Sequence, residues 1–453
     1  MIKRIQIIKF TAVSWAVLLL FLGGAGADAV EITVQADRVA SSYPVHPFGM
    51  NLNYLRDVDS LWPVRTRSVE AALKDMKVRW LRYPGGEKSD HVRFASPPYT
   101  NAAPVVFDYC EKSQRDDLLD FDEFIALCRR LGAEPWVVVP YDTSARTKRY
   151  GDFLEHAVAW VTYANRIRGY GVKYWEIGNE NWSSQSRNPN PKRSLDILQI
   201  AQSMKQADPS IRIAASGVDP AVVKDTVNIL SLSGYVGTWE KSDWKETFDS
   251  LQGDALLSPS WKKEKRVIKK SGRDYLLAVV EWSFKYDKKR NDLISAIGAL
   301  DVAGRQYRYG DGMINHMYWT TRYMDLEQAD AVFCTLDTRN ELTATGRAAW
   351  IIGNFFTRQP VACTSDFPQN VHAYAFIDDE QKRVNVLLIN HTDQNQSVRV
   401  TFEGMSGVSL CSVFQFSGTG PLDTKPVWKE LNMLPEQLVP YSAIIIQSEK
   451  DHR

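Results

Sequence analysis

An alternation of two periodicities constrains this chain most. From about residue 45 to 358, short apolar runs with strand character take turns with amphipathic runs of helical period. The strand-like runs are FGMNLNYL (48–55), RWLRYPG (79–85), EPWVVVPYD (134–142), KYWEIGNE (173–180), IRIAASG (211–217), YLLAVVEWS (275–283) and GMINHMYW (312–319). Between them lie stretches such as TRSVEAALKDM, DDLLDFDEFIALCRRLG and NDLISAIGALDVAGRQYRYG. Strands alternating with helices imply parallel βαβ units. Near-continuous apolar strands imply a sheet covered on both faces. About eight such units in roughly 310 residues predict a (β/α)8 TIM barrel. A doubly wound open sheet is the rival, and no Gly-rich fingerprint follows an early strand to support it.

Beyond Pro360 the period becomes two. VHAYAFID, RVNVLLINH, SVRVTFEG, VSLCSVFQF and SAIIIQS are separated by polar turns, with no helix between them. They predict an antiparallel β-sandwich over residues 359–453. The run EITVQAD, within residues 28–44, is expected to join it. Residues 1–27 read as a signal peptide: Lys3, Arg4 and Lys9, then apolar Phe10 to Leu22, then Ala25-Gly26-Ala27. Cleavage is expected after Ala27. The apolar run falls short of the ~20 residues a membrane span needs, so no stable membrane insertion is expected and the location is secreted or periplasmic.

The 55 basic and 54 acidic residues give a net charge of +1, too little to hold nucleic acid. The five cysteines, Cys110, Cys128, Cys334, Cys363 and Cys411, show no CxxC spacing. Cys128 reads as core, and a Cys363–Cys411 pairing is left open. The seven histidines show no metal spacing. No metal or other cofactor is expected, and the oligomeric state is not legible.

Barrel active sites form at the C-terminal ends of the strands. Those ends carry Asn51 and Asn53 on strand one, then Arg82-Tyr83-Pro84-Gly85-Gly86-Glu87 on strand two. They carry Tyr141-Asp142 on three, Asn179-Glu180 on four, Glu281 on seven and Tyr318-Trp319 on eight. Two glutamates facing each other across a barrel mouth suit retaining glycoside hydrolysis, one as acid/base and one as nucleophile, about 5–5.5 Å apart. Like charges that close raise one pKa, so one group stays protonated as the acid. Trp175, Trp182 and Trp282 flank the pair, and indole faces suit sugar rings. Glu176, four residues before Glu180, faces the same way in an extended strand. It is either a supporting carboxylate inside the barrel or the ion-pair partner of Arg82. Arg82 in turn either serves that pair or holds the nucleophile.

The motif YGVKYWEIGNENW followed by MKQADPSIRIAASG resembles the α-L-arabinofuranosidase family of retaining glycosidases (glycoside hydrolase family 51-like). LRYPGG, VVEWS and RVNVLLINHTDQ resemble that family's strand-two, nucleophile and sandwich motifs. The resemblance implies Glu180 as acid/base, Glu281 as nucleophile and Asn179 as donor to the sugar 2-hydroxyl. Asn53, Glu87, Trp182, Tyr318 and Trp319 are the further candidate substrate contacts. The implied partner is a plant or algal carbohydrate. Two departures leave the sugar open: the family shows Glu where this chain has Asn53, and Asn where it has Glu87. Relatives in the same clan act on xylosides, glucuronides, galactans or agar-type polymers. A catalytically inactive carbohydrate-binding barrel is the alternative from another class.

Strand six is the other departure. The family places an apolar strand there that ends in a His-x-Tyr-like motif, whose Tyr would bond the nucleophile. No His lies between Gly217 and Tyr275. The expectation is a short strand near residues 253–258 and a site widened on that side. Tyr318 or Trp239 would then replace the missing aromatic.

Overall fold

The computed structural model describes residues 17–18, 29–99, 104–108, 113–115, 117–141, 150–182, 192–238, 240–323, 332–380, 382–405 and 407–450. The leader read in residues 1–27 falls almost wholly outside them, as do Cys110, Asp142 and Trp239.

Eight strands close into a barrel. They are β1 (Phe48–Asn51), β2 (Trp80–Tyr83), β3 (Glu134–Val139), β4 (Tyr174–Ile177), β5 (Arg212–Ala215), β6 (Ile229–Ser233), β7 (Leu276–Trp282) and β8 (Met313–Tyr318). Each pairs in parallel with its neighbours, and β8 pairs with β1 to close the ring. The two-residue period of a strand sends alternate side chains inward. Trp80, Trp136, Tyr174, Ile229, Ala278, Val280 and Met317 fill the lower interior. Gly49 makes the room: a Cβ there would lie 2.6 Å from the Trp80 Cβ and 2.8 Å from the Met317 Cγ. Two positions further along β2 and β4, the interior holds Arg82 and Glu176, both fully buried. The barrel is therefore apolar below and charged just beneath its mouth.

The helices around it are specified locally. Helix Phe121–Leu131 begins at Asp120, whose carboxylate accepts from the Glu123 N–H while the Glu123 side chain accepts from the Asp120 N–H. It ends at Gly132 in the left-handed conformation, and Phe121, Phe124, Ile125, Leu127 and Cys128 form its buried stripe.

The second domain is built from β9 (Gln359–Ser365), β10 (Val371–Ile377), β11 (Arg383–Asn390), β12 (Gln396–Glu403), β13 (Val408–Ser417), β14 (Val427–Leu431) and β15 (Ser442–Lys450). The N-terminal strand Val30–Val39 inserts between β9 and β12, antiparallel to the first and parallel to the second. The sheet is thus mixed where the sequence suggested antiparallel pairing throughout. No hairpin joins Val30–Val39 to β12, so no turn dictates their relative direction. Cys128, Cys334 and Cys363 are buried free thiols and Cys411 an exposed one, so Cys363 and Cys411 do not pair.

One carboxylate ties the two domains. Asp301, fully buried on barrel helix Leu293–Arg308, faces His372 Nδ1 at 2.8 Å and His391 Nε2 at 2.6 Å, and accepts from the Tyr374 hydroxyl at 2.6 Å. Burial alone would raise its pKa, but the two imidazoles outweigh this and hold it well below the usual carboxylate range. Gly304, one turn on, lets Tyr374 close: a Cβ there would be 2.5 Å from the tyrosine ring.

Candidate active site

The turns after β2 and β4 shape the mouth. Gly85 and Gly86 have φ of +85° and +60°, a region open to glycine at little cost. A Cβ on Gly86 would stand 2.2 Å from the Trp319 indole, so the glycine lets backbone and ring close on each other. After β4, Gly178 has φ +71° and Glu180 has φ +43°. A non-glycine residue held in that region at a cleft is the kind of strain that marks functional positions. Asn181 fixes the turn: its side-chain amide donates to the Ile177 carbonyl at 2.8 Å, and its backbone N–H to the Ser216 Oγ at 3.0 Å.

Arg82 organises the layer beneath. Its Nε donates to Glu176 Oε2 at 2.9 Å and its Nη2 to Asn179 Oδ1 at 2.9 Å. Its Nη1 donates to Glu281 Oε1 at 2.7 Å and Asn51 Oδ1 at 3.1 Å. One guanidinium therefore joins the ends of β1, β2, β4 and β7, serving both roles that the sequence left open. Trp136 adds a 2.9 Å indole N–H bond to Glu176 Oε2.

Glu281 is buried, and its second oxygen accepts from the Tyr235 hydroxyl at 2.8 Å. Burial lifts its pKa, opposed by the charge of Arg82 and by the hydrogen bonds from Tyr235 and Arg82. Glu180 makes no such ion pair among the described residues. Burial first, then the charge of Glu281, pushes its carboxyl up to about 7, opposed by the Ser233 hydroxyl and by Arg82 at longer range. Two identical side chains thus meet at one mouth with different support.

Tyr235 corrects the expectation for strand six. That strand is β6, Ile229–Ser233, paired in parallel with β5 and β7, some twenty residues before the segment expected to supply it. Gly253–Leu256 is a 3-10 turn. Ser233 ends β6 at the His position of the motif, Gly234-Tyr235 follow it directly, and the tyrosine touches Glu281. Tyr318 does not substitute: it is fully buried, its hydroxyl donates to the Val332 carbonyl and its ring stands edge-on to Trp282.

No family model matches the chain. Over 169 residues it is 28% identical to Alpha-L-arabinofuranosidase C of Emericella nidulans, covering 33% of this chain and 32% of that protein. The matched segment thus spans about a third of this curated relative. Among solved structures, the α-L-arabinofuranosidase of Thermotoga maritima in complex with arabinose superposes with a TM-score of 0.71 at 19% identity, over 93% of this chain and 100% of that one. The family 51 enzyme of Thermotoga petrophila RKU-1 gives 0.72 at 20% identity, over 92% and 100%. The chain has the fold of the family 51 α-L-arabinofuranosidases.

Within this arabinofuranosidase fold, the remaining candidates separate into mouth and frame. Asn179 gives its oxygen to Arg82, and its NH2 meets no protein acceptor among the described residues. Trp182 is 38% exposed beyond Glu180, and Trp319 is partly exposed against Gly86. Glu87 is exposed at the start of a 3-10 turn. Asn53 belongs to the frame. Its NH2 donates to the carbonyls of Arg322 and Tyr323, and its oxygen accepts from the Leu55 N–H and Lys88 Nζ. An amide spent on four protein partners has little left for a sugar. Tyr235, Ser233 and Lys285 were not singled out by sequence. Lys285 is buried four residues past Glu281, its Nζ 4.2 Å from the centroid of the Tyr235 ring. The signal available for Tyr235 was an apolar ILSLS run followed by Gly-Tyr.

Proposed function

We propose that the chain is a retaining glycoside hydrolase of plant or algal carbohydrate, acting on α-L-arabinofuranosides by double displacement through a glycosyl-enzyme intermediate. The observation that carries this reading is the unequal support of the two carboxylates. Glu281 is held by a cation and a phenol, as a nucleophile must be to stay ionised. Glu180 is pushed up to about 7, as an acid must be to keep its proton near neutrality. Glu281 attacks the anomeric carbon while Glu180 gives its proton to the departing oxygen. Esterification then removes the charge on Glu281, and with it one force raising the Glu180 pKa. Glu180 becomes competent as a base and deprotonates the water that releases the sugar. Asn179, oriented by Arg82, donates to the 2-hydroxyl. No helix of the described residues is long and apolar enough to cross a membrane, and the basic, apolar and small-residue pattern of residues 1–27 supports export.

The test is hydrolysis of aryl α-L-arabinofuranoside with net retention, and loss of turnover in Glu281→Ala. Azide should partly restore that variant and give the glycosyl azide of inverted configuration, because the small anion attacks from the vacated face. Near-normal turnover in the variant would exclude Glu281 as nucleophile. A second reading keeps the chemistry and changes the sugar. The committed amide of Asn53 and the carboxylate at Glu87 favour it, and a panel of aryl xylosides, glucuronides and galactosides decides it. Hydrolysis of none of them would leave a barrel that only binds carbohydrate.

A further inference from the structure

Beyond the barrel rim, β6 and β7 continue as a short parallel pair, Val236–Gly237 with Phe284–Lys285. Gly237 has φ +92°, and a Cβ there would lie 1.9 Å from the Lys285 carbonyl oxygen, so the two segments close only around glycine. This extension fixes two side chains relative to each other. The Tyr235 ring lies under the ammonium of Lys285 at 4.2 Å, with Phe333 at 5.4 Å. The Tyr235 hydroxyl donates to Glu281 Oε2.

We propose that Lys285 is a positioning residue for the nucleophile: its ammonium, laid on the face of Tyr235, polarises the phenol and strengthens the hydrogen bond that keeps Glu281 ionised. The inference rests on the reading of Glu281 as nucleophile. A cation over an aromatic face is attracted to the π density and draws on it. In a phenol this makes the O–H a better donor, and a better donor favours the carboxylate over the carboxylic acid.

The charged groups around Lys285 give this device a direction in pH. Glu180 and Glu281 face it, with Arg82 and Glu176 behind Glu281 and Glu87 beyond Glu180. Burial lowers the lysine pKa to about 6, opposed by Glu180 and then Glu281. The cation is therefore present in acid, where the nucleophile is at risk of protonation. It is largely gone near pH 7, where Glu180 must hold its own proton.

The experiment measures kcat/KM against pH on an aryl glycoside for the full chain, Lys285→Met, Tyr235→Phe and the double variant. In Lys285→Met the acid limb should move up by about half a pH unit, while the basic limb stays in place. In the Tyr235→Phe background the same change should move the acid limb by less than half as much. Lys285→Arg should restore the wild-type acid limb. An unmoved acid limb in Lys285→Met, or an undiminished shift without the phenol, would overturn the proposal. A ¹³C NMR titration of glutamate carboxyls, with Glu281→Gln to assign the resonance, reads the same shift without turnover. A wild-type chain that hydrolyses nothing would thus sink the functional reading, while the NMR titration still decides the role of Lys285. If Lys285→Met does not fold by circular dichroism, Lys285→Gln takes its place in both measurements.

Discussion

Glu180 and Glu281 carry the same functional group, and the difference between them lies in what Arg82 and Tyr235 reach. This gives Glu180 a stability signature separate from its chemistry. Its folded pKa, raised to about 7, exceeds the ordinary value of 4.5. Below the ordinary value the group is protonated in both states and costs nothing. As pH rises toward 7, the unfolded chain ionises while the folded one resists, and stability falls. Glu180→Gln should therefore raise the melting temperature at pH 8 and leave it nearly unchanged at pH 4. An equal effect at both values would contradict the raised pKa. In catalysis, Glu180→Ala should spare aryl glycosides with good leaving groups far more than natural glycosides, since a stable leaving anion needs no proton. Equal losses on both would count against Glu180 as the acid. The basic limb of activity should fall near pH 7, because the acid is lost there. The sequence displayed both glutamates, because each ends an apolar strand beside Trp. It could not display Arg82 bridging four strand ends, which requires the closed ring.

Strands and turns show where local signals suffice. The apolar runs placed seven barrel strands, because burial on both faces leaves few polar positions to blur them. β6 was missed because its connection from β5 holds only the four-residue helix Pro220–Val223 and a 3-10 turn. The strand–helix rhythm therefore lapses just where β6 begins. A closed barrel cannot leave β5 and β7 unpaired without exposing buried backbone groups, and β6 meets that need earlier in the chain than the segment expected to do so. The Gly-Gly turn after β2 offers a test at this scale. Gly86→Ala meets both a positive φ and the Trp319 indole, whereas Gly171→Ala meets a positive φ of +70° and open space. Each should cost on the order of 1–3 kcal/mol for the backbone alone, with Gly86 toward the upper end because its ψ of −162° lies where essentially only glycine goes. Only Gly86→Ala should also lower kcat/KM, by displacing Trp319 at the mouth. Equal activity in the two variants would mean that the Trp319 contact plays no part in the site.

At the scale of the whole molecule, the barrel and the sheet domain share a buried charge. His372 and His391 lie 71 and 90 positions from Asp301, a separation over which no periodicity or motif reports a contact. The carboxylate is tolerable in the interior because His372, His391 and Tyr374 surround it. Asp301→Asn keeps the volume but presents an NH2 where the imidazoles need an acceptor. Breaking one partner of a buried, hydrogen-bonded charge network costs on the order of 3–5 kcal/mol. Asp379→Asn removes an exposed pair with Arg358, where the expected cost is below about 1 kcal/mol. The depressed pKa of Asp301 sets the pH window. Its contribution is in place above the ordinary carboxylate value and disappears only as pH falls through the depressed one. The melting-temperature gap between wild type and Asp301→Asn should therefore be fully developed already at pH 5, and several times that of Asp379→Asn. The wild-type chain should melt in one transition, because Asp301 couples the domains. Asp301→Asn should separate an earlier transition of the sheet domain from that of the barrel. A single transition, shifted no further than in the surface variant, would show that the domains are held together by their apolar contacts alone.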